Sequence, residues 1–185
     1  MATVRAGKRS VLVVVDVQVD VVRHAWERAR VIGNVALAVE QARAQGVPVV
    51  WVQHEDDDMP RGSAGWQWVP ELLPREGDVR IFKRFPSSFE DTPLEAELAR
   101  LGATRIVLAG AQTNWCIRAT AYAALERGYD LTLVRDAHTT DAADLGDGRV
   151  IAAENFVDDL NLAMTWLAYP GRKPSTAKAA ELDFA

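Results

Sequence analysis

The first strong pattern in the chain is an unbroken apolar run. Val11-Leu12-Val13-Val14-Val15 is almost entirely β-branched and has no polar face, as expected of a central parallel strand covered by helices on both sides. It stops at Asp16. Val35, Leu37-Ala38-Val39 and Ala42 then recur at helical spacing, which predicts a helix from about Asn34 to Gln45 with Gly46 as its stop. A second strand reads from Val47 to Val52, with Pro48 near its start, where a missing N–H is tolerated. Residues 53–78 lose all periodicity. They hold His54, four consecutive acids from Glu55 to Asp58, two tryptophans and three prolines. This predicts a surface excursion with a short helix at 67–73, and a loop of that length usually serves as a lid or binding loop. A short strand, Val79–Phe82, follows and ends at Lys83.

The second half of the chain alternates more regularly. Thr92-Pro93-Leu94-Glu95 carries a capping box with proline at the first helical position and opens a helix that runs to Leu101. Ile106–Ala109 reads as a fourth strand. Gly110–Asn114 is a turn into a helix from about 115 to 127, and Leu131–Val134 is a fifth strand ending in Asp136. A last helix is expected from near Asp147 to about Asp159, and Glu181–Phe184 as a final edge strand. Strands alternating with helices predict an α/β fold, a three-layer Rossmann-like domain with a mainly parallel sheet flanked by helices. One domain over residues 1–185 accounts for the chain, with no internal repeat and no linker.

Composition narrows the function classes. The chain has 185 residues, 49% of them apolar, and a net charge of −5 without a basic face; no nucleic-acid partner is expected. A single cysteine excludes an internal disulfide. The first ten residues are polar and the run Val11–Val15 is too short for a signal-peptide core or a membrane span, so the expectation is a cytoplasmic protein with no membrane association. No Walker A motif and no G-x-G-x-x-G occurs, and no cofactor is expected.

Open α/β sheets bind ligands at the carboxyl ends of their strands, and three such ends carry reactive groups. Asp16 follows the first strand, Lys83 the third, and Cys116 lies just past the fourth. A thiolate can attack a carbonyl carbon, a carboxylate can take the thiol proton, and an ammonium stabilises both charges. Each residue also has a plainer role open to it. A lone cysteine is often a small buried hydrophobe, an aspartate after a strand often a turn former or helix cap, and a lysine usually a solvated surface charge. The shared placement favours chemistry. With the helix N-terminus and Lys83 acting against Asp16, the Cys116 thiol is expected to titrate modestly below the ordinary value of about 8.5.

Three segments carry a resemblance. Val13-Val14-Val15-Asp16-Val17-Gln18, Phe82-Lys83-Arg84-Phe85 with Ser87-Ser88-Phe89, and Leu108 through Cys116 look like the isochorismatase-like cysteine hydrolases, a superfamily that includes nicotinamidases, N-carbamoylsarcosine amidases, ureidoacrylate hydrolases and streptothricin hydrolases. The match runs in order over about residues 10–140. It implies Cys116 as nucleophile, Asp16 as general base and Lys83 as third member of a catalytic triad. It also implies a cis peptide between Ala111 and Gln112, and an oxyanion hole from the backbone N–H groups of Gln112 and Cys116. By the residues alone, Gly110–Asn114 is an ordinary polar turn.

A retained cysteine points to hydrolysis of a C–N bond in a small amide, ureido compound or lactam. An isochorismatase-type ether hydrolase and a non-catalytic binding protein on the same fold are the alternatives. The Asp-x-His spacing of the metal-binding relatives is missing, so no metal is expected, and the acids after His54 read as a solvated loop. Trp115 is expected on the substrate wall beside Cys116, with Phe89 as a further candidate. Gln18 either orients substrate or satisfies the turn after Asp16. His24 and His138 are surface or core histidines. The apolar-rich stretch from Phe156 to Tyr169 exceeds what one buried helix face requires and predicts a homo-oligomer, a dimer or larger.

Overall fold

The computed structural model of the chain describes residues 5–184; Met1–Val4, part of the polar N-terminus noted above, and Ala185 lie outside the described residues. In chain order the elements are β1 (Arg9–Val15), α1 (Arg28–Ala44), β2 (Val49–His54), β3 (Val79–Lys83), α2 (Leu94–Arg100), β4 (Ala103–Ala111) and a π-helical turn (Thr113–Ile117). After these come α3 (Arg118–Glu126), β5 (Asp130–Thr139), β6 (Ala143–Gly146), β7 (Arg149–Ile151), α4 (Ala153–Trp166), β8 (Pro174–Ala177) and a 3₁₀ turn (Ala179–Glu181). Six strands form one sheet in the order β3-β2-β1-β4-β5-β8, and every neighbouring pair is parallel. The expected α/β architecture is the one that forms.

Strand alternation sorts the core into two layers. Leu12 and Val14 of β1 face α1 residues such as Val35, Ala38 and Val39. Val11, Val13 and Val15 face the opposite side, with Leu98 of α2, Ala121 and Leu125 of α3 and Leu160 and Met164 of α4. β1 has no polar side because both of its sides are interior.

Several boundaries differ from the sequence expectation, each for a local reason. α1 begins six residues before Asn34, at Arg28, behind Glu27 in a left-handed conformation with no side-chain cap, so no capping signal marks its start. No helix forms at 67–73. That segment is laid antiparallel against residues 17–20, with Val19 N donating to Gln67 O at 2.9 Å and Val69 N to Val17 O at 3.2 Å. Its aromatic Trp68 meets Trp51 edge-on at 5.0 Å. The capping box of α2 is half formed: Leu94 N donates to Thr92 Oγ1 at 3.3 Å, while Glu95 turns away to Arg5. The helix expected from Asp147 begins instead at Ala153, because Asp147-Gly148 closes the β6–β7 hairpin with φ of 53° and 75°. Positive φ at both central residues is what a type I′ turn requires, and Asp-Gly is its usual sequence. The final edge strand is β8, not residues 181–184; Leu182 and Phe184 pack into the α1 layer.

One close approach sets up the site. Gly110 pairs with Val15 across β4 and β1. Its φ is 127°, and a Cβ built there would lie 2.0 Å from Val15 O. Any side chain would force apart the two strand ends that carry Asp16 and lead to Cys116. Gly110→Ala is expected to lower the unfolding free energy by at least about 2 kcal/mol, read from urea denaturation; an unchanged midpoint would show that the strand ends separate without strain.

Candidate active site

The chain builds β1, β2 and β3 outward in one direction and then returns to place β4 on the other side of β1. The order therefore reverses between β1 and β4, and open α/β sheets form their ligand crevice at such a switch point. Asp16 leaves β1 with φ 53°, and its N–H donates to Val52 O at 2.8 Å. Lys83 is the last residue of β3, and Cys116 sits in the π-helical turn after β4. The three meet. Lys83 Nζ lies 2.7 Å from Asp16 Oδ2 and 3.1 Å from Cys116 Sγ. The side chains of the ion pair are 0% and 1% exposed. Apart from that charge contact, neither Asp16 oxygen has a hydrogen-bond partner of good geometry among the described residues.

The turn that carries the thiol is braced from behind. The Ala111–Gln112 peptide is cis. Gln112 O accepts from the N–H groups of Trp115 and Ile117, both at 3.1 Å, and Gln112 Nε2 donates to Val21 O at 3.2 Å. Thr113 Oγ1 is 2.9 Å from His138 Nδ1, and His138 Nε2 is 3.1 Å from Asn161 Oδ1 on α4. His138 is a core histidine, and burial pushes its pKa down to about 4, which leaves the ring neutral. Its pairing opposite Gly110 in the β4–β5 register puts it behind the turn; the sequence signal was a lone histidine at the far end of a long strand. His24 is at the surface.

In front of the thiol is a cavity of about 440 Å³. Asp16, Cys116, Gln112 and Trp115 line it, as the sequence reading expects, and Trp115 is 60% exposed there. Two expected substrate contacts are not in it. Gln18 is fully buried and its amide is used up: Nε2 donates to His54 O at 3.0 Å and Trp66 O at 2.9 Å, and Oε1 accepts from His54 N at 2.8 Å. Of its two open roles it takes the structural one, clasping the excursion after β2 to the end of β1. Phe89 points into the core, where its ring lies 6.1 Å from that of Tyr129 and under Arg127. The turn from Lys83 to Ser88 directs it inward: buried Ser88 N donates to Thr120 Oγ1 at 3.0 Å, which ties this turn to α3.

The walls come instead from Asp20, Val21, Met59 and Pro86, for which the sequence offers no signal, together with His54, Asp56 and Asp58. They lie at the ends of three different strands, β1, β2 and β3, so no spacing rule reaches them. The acid run is partly structured: Asp56 Oδ1 accepts from Asp58 N at 3.0 Å and Met59 N at 2.7 Å, and Asp56 Oδ2 lies 3.0 Å from His54 Nε2. Among the described residues no three His, Cys, Asp or Glu side chains are grouped to hold a metal.

The thiol's protonation corrects the expectation of a depressed pKa. Burial pushes Cys116 up to about 12, the Asp16 carboxylate adds to the rise, and Lys83 opposes it without prevailing. Sequence reasoning counted charges and omitted desolvation, the largest effect. Burial also works against the Lys83 charge, but Asp16 and Cys116 outweigh it and raise the ammonium's pKa. At neutral pH the resting group is therefore a thiol beside a carboxylate. Iodoacetamide alkylation against pH should give a midpoint well above the ordinary value of about 8.5, moved down by Asp16→Asn and further up by Lys83→Met. A wild-type midpoint at or below the ordinary value would contradict this electrostatic picture.

Comparison with known proteins places this geometry. The family model described as the isochorismatase domain matches residues 10–156. A secreted isochorismatase effector of Verticillium dahliae is 31% identical over 135 residues, 69% of this chain and 71% of that protein. The ureidoacrylate amidohydrolase of Methylobacterium radiotolerans is 28% identical over 186 aligned positions, 81% of this chain and 72% of that one. A crystal structure described as an isochorismatase from Pseudomonas putida superposes with a TM-score of 0.82 at 26% identity, covering 93% of this chain and 89% of that chain. With the family model spanning most of its length, the chain belongs to the isochorismatase family.

Proposed function

We propose that the protein is a cysteine amidohydrolase that cleaves a C–N bond in a small amide, ureido compound or lactam. The observation that carries this reading is the buried Lys83 ammonium held between the Asp16 carboxylate and the Cys116 sulfur. The amidohydrolase named among its relatives supports it. A vinyl ether needs no thiol for its hydrolysis, so the contact of Lys83 with sulfur favours the amide reading over an ether hydrolase.

The chemistry follows from the protonation states. The resting thiol gives its proton to Asp16 as sulfur attacks the carbonyl carbon. Lys83 offsets the growing charge on sulfur, and the pair is desolvated, so its attraction is strong. The carbonyl oxygen becomes an oxyanion facing the backbone N–H groups of Gln112 and Cys116. Collapse expels the nitrogen, which takes the proton from Asp16 and leaves as amine or ammonia. A water then loses a proton to Asp16, attacks the thioester and releases the acid, and the proton returns to sulfur. A non-catalytic binding role gives no reason for burying an ion pair against a thiol.

Cys116→Ala is expected to lower ammonia or amine release by about three orders of magnitude or more, over a panel of small amides, ureido compounds and lactams, with an unchanged circular dichroism spectrum. Asp16→Asn should do the same. Cleavage by Cys116→Ala at a rate near that of the wild type, or activity confined to vinyl ethers, would overturn the reading.

We also propose that the protein acts as a homo-oligomer. α4 buries Val157, Leu160 and Met164 but leaves Leu162 56% and Trp166 81% exposed. Light scattering at micromolar concentration should give a dimer mass or larger; a monomer would refute it.

A further inference from the structure

The cavity walls carry one sign of charge. Asp20, Asp56 and Asp58 line it, beside the apolar Val21, Met59 and Trp115. Among the described residues no lysine or arginine side chain lines it. Lys83 lies beneath the floor and is neutralised by Asp16. The nearby cations each pair with a carboxylate: Arg23 with Asp20 of the wall, Arg61 with Glu55 and Arg84 with Asp57. The Met59 amide holds the Asp56 carboxyl below its usual range, with His54 adding to the effect, so Asp56 is ionised at neutral pH. Among the described residues no cation pairs with Asp58, and its wall position makes its charge available to a ligand.

One further feature points to an occupant. His54, on the wall, has its Nδ1 buried without a hydrogen-bond partner among the described residues. An apolar patch beside carboxylates suits a molecule with an apolar body and a positive end. A carboxylate on the substrate would meet Asp58, which no cation balances among the described residues, beside the paired carboxylates of Asp20 and Asp56.

Resting on the amidohydrolase reading, we infer that the substrate is an amide, ureido compound or lactam bearing an amine or other cationic group, and that substrates carrying a carboxylate are rejected. Asp58 leads in setting this preference; Asp20, shared with Arg23, and Asp56, which also closes the turn at Met59, contribute.

The test uses the chain's single cysteine as a reporter at the cavity floor. Cys116 is modified with 2-aminoethyl methanethiosulfonate, which is cationic, and with the anionic 2-sulfonatoethyl reagent, and the ratio of the two rates is divided by the same ratio for free β-mercaptoethanol. The normalised ratio is expected to exceed one by about tenfold or more, to fall with added salt, and to drop toward one in Asp20→Asn/Asp58→Asn. A ratio at or below one, or one unmoved by the double substitution, would overturn the charge preference whether or not the protein cleaves amides. With matched amides carrying an ammonium, a methyl or a carboxylate, kcat/KM should follow the same order, and the reverse order would overturn the inference. A high ratio with every amide left intact would instead sink the amidohydrolase reading and leave the charge selection standing.

Discussion

A lysine and an aspartate, both out of water, come from strands that do not touch. β2 lies between β1 and β3, yet Lys83 reaches past its end to Asp16. Neither charge could stay buried without the other, since the desolvation of each is offset only by the contact. Removing one partner leaves an uncompensated charge, which costs on the order of 3–5 kcal/mol. The two strand ends must therefore be in register for the chain to fold, and the registers Val15↔Val52 and His54↔Lys83 provide it. The same contact fixes the electrostatic surroundings of Cys116. Folding and chemistry here draw on one interaction, with the acid and the ammonium pulling the thiol in opposite directions.

Behind that pair, the sulfur is held by a neutral framework. The π-helical turn hangs on Gln112 O and on Thr113, which leans on His138, which leans on α4 through Asn161. Burial keeps the His138 ring in this relay uncharged. The path also ties α4 to the reactive turn, so the helix with the exposed Trp166 is only a few hydrogen bonds from the sulfur.

The parallel sheet and the three strand-end residues were legible because they depend on patterns of one kind. Val11–Val15 is apolar on both sides, and Asp16, Lys83 and Cys116 each lie at or just past the end of a strand pattern. What escaped depended on contacts distant in sequence. Trp66, Trp68 and Val69 mimic a helix face, but Trp68 answers to Trp51 and the backbone answers to Val17 and Val19. Phe89 lies next to a site motif yet serves the core. The acids after His54 read as solvated because the sequence does not reveal that Gln18 folds their loop over the crevice. Asp147-Gly148 is a different case: the hairpin signal was present and local, and the helical pattern beyond it masked it.

The clasp at Gln18 separates two things that a binding site usually mixes. The groups proposed to react sit at strand ends, deep in a framework that tolerates little change. Much of the cavity wall sits on the loop after β2, which Gln18 ties to the end of β1 through His54 and Trp66 and which backbone bonds from Val19 and Asp20 reinforce. A loop of another length or charge, hung from the same amide, would offer the same reaction to a different clientele. Inheritance can thus retailor the mouth without reopening the fold, and drift in residues 55–67 changes what is taken in long before it changes what is done to it.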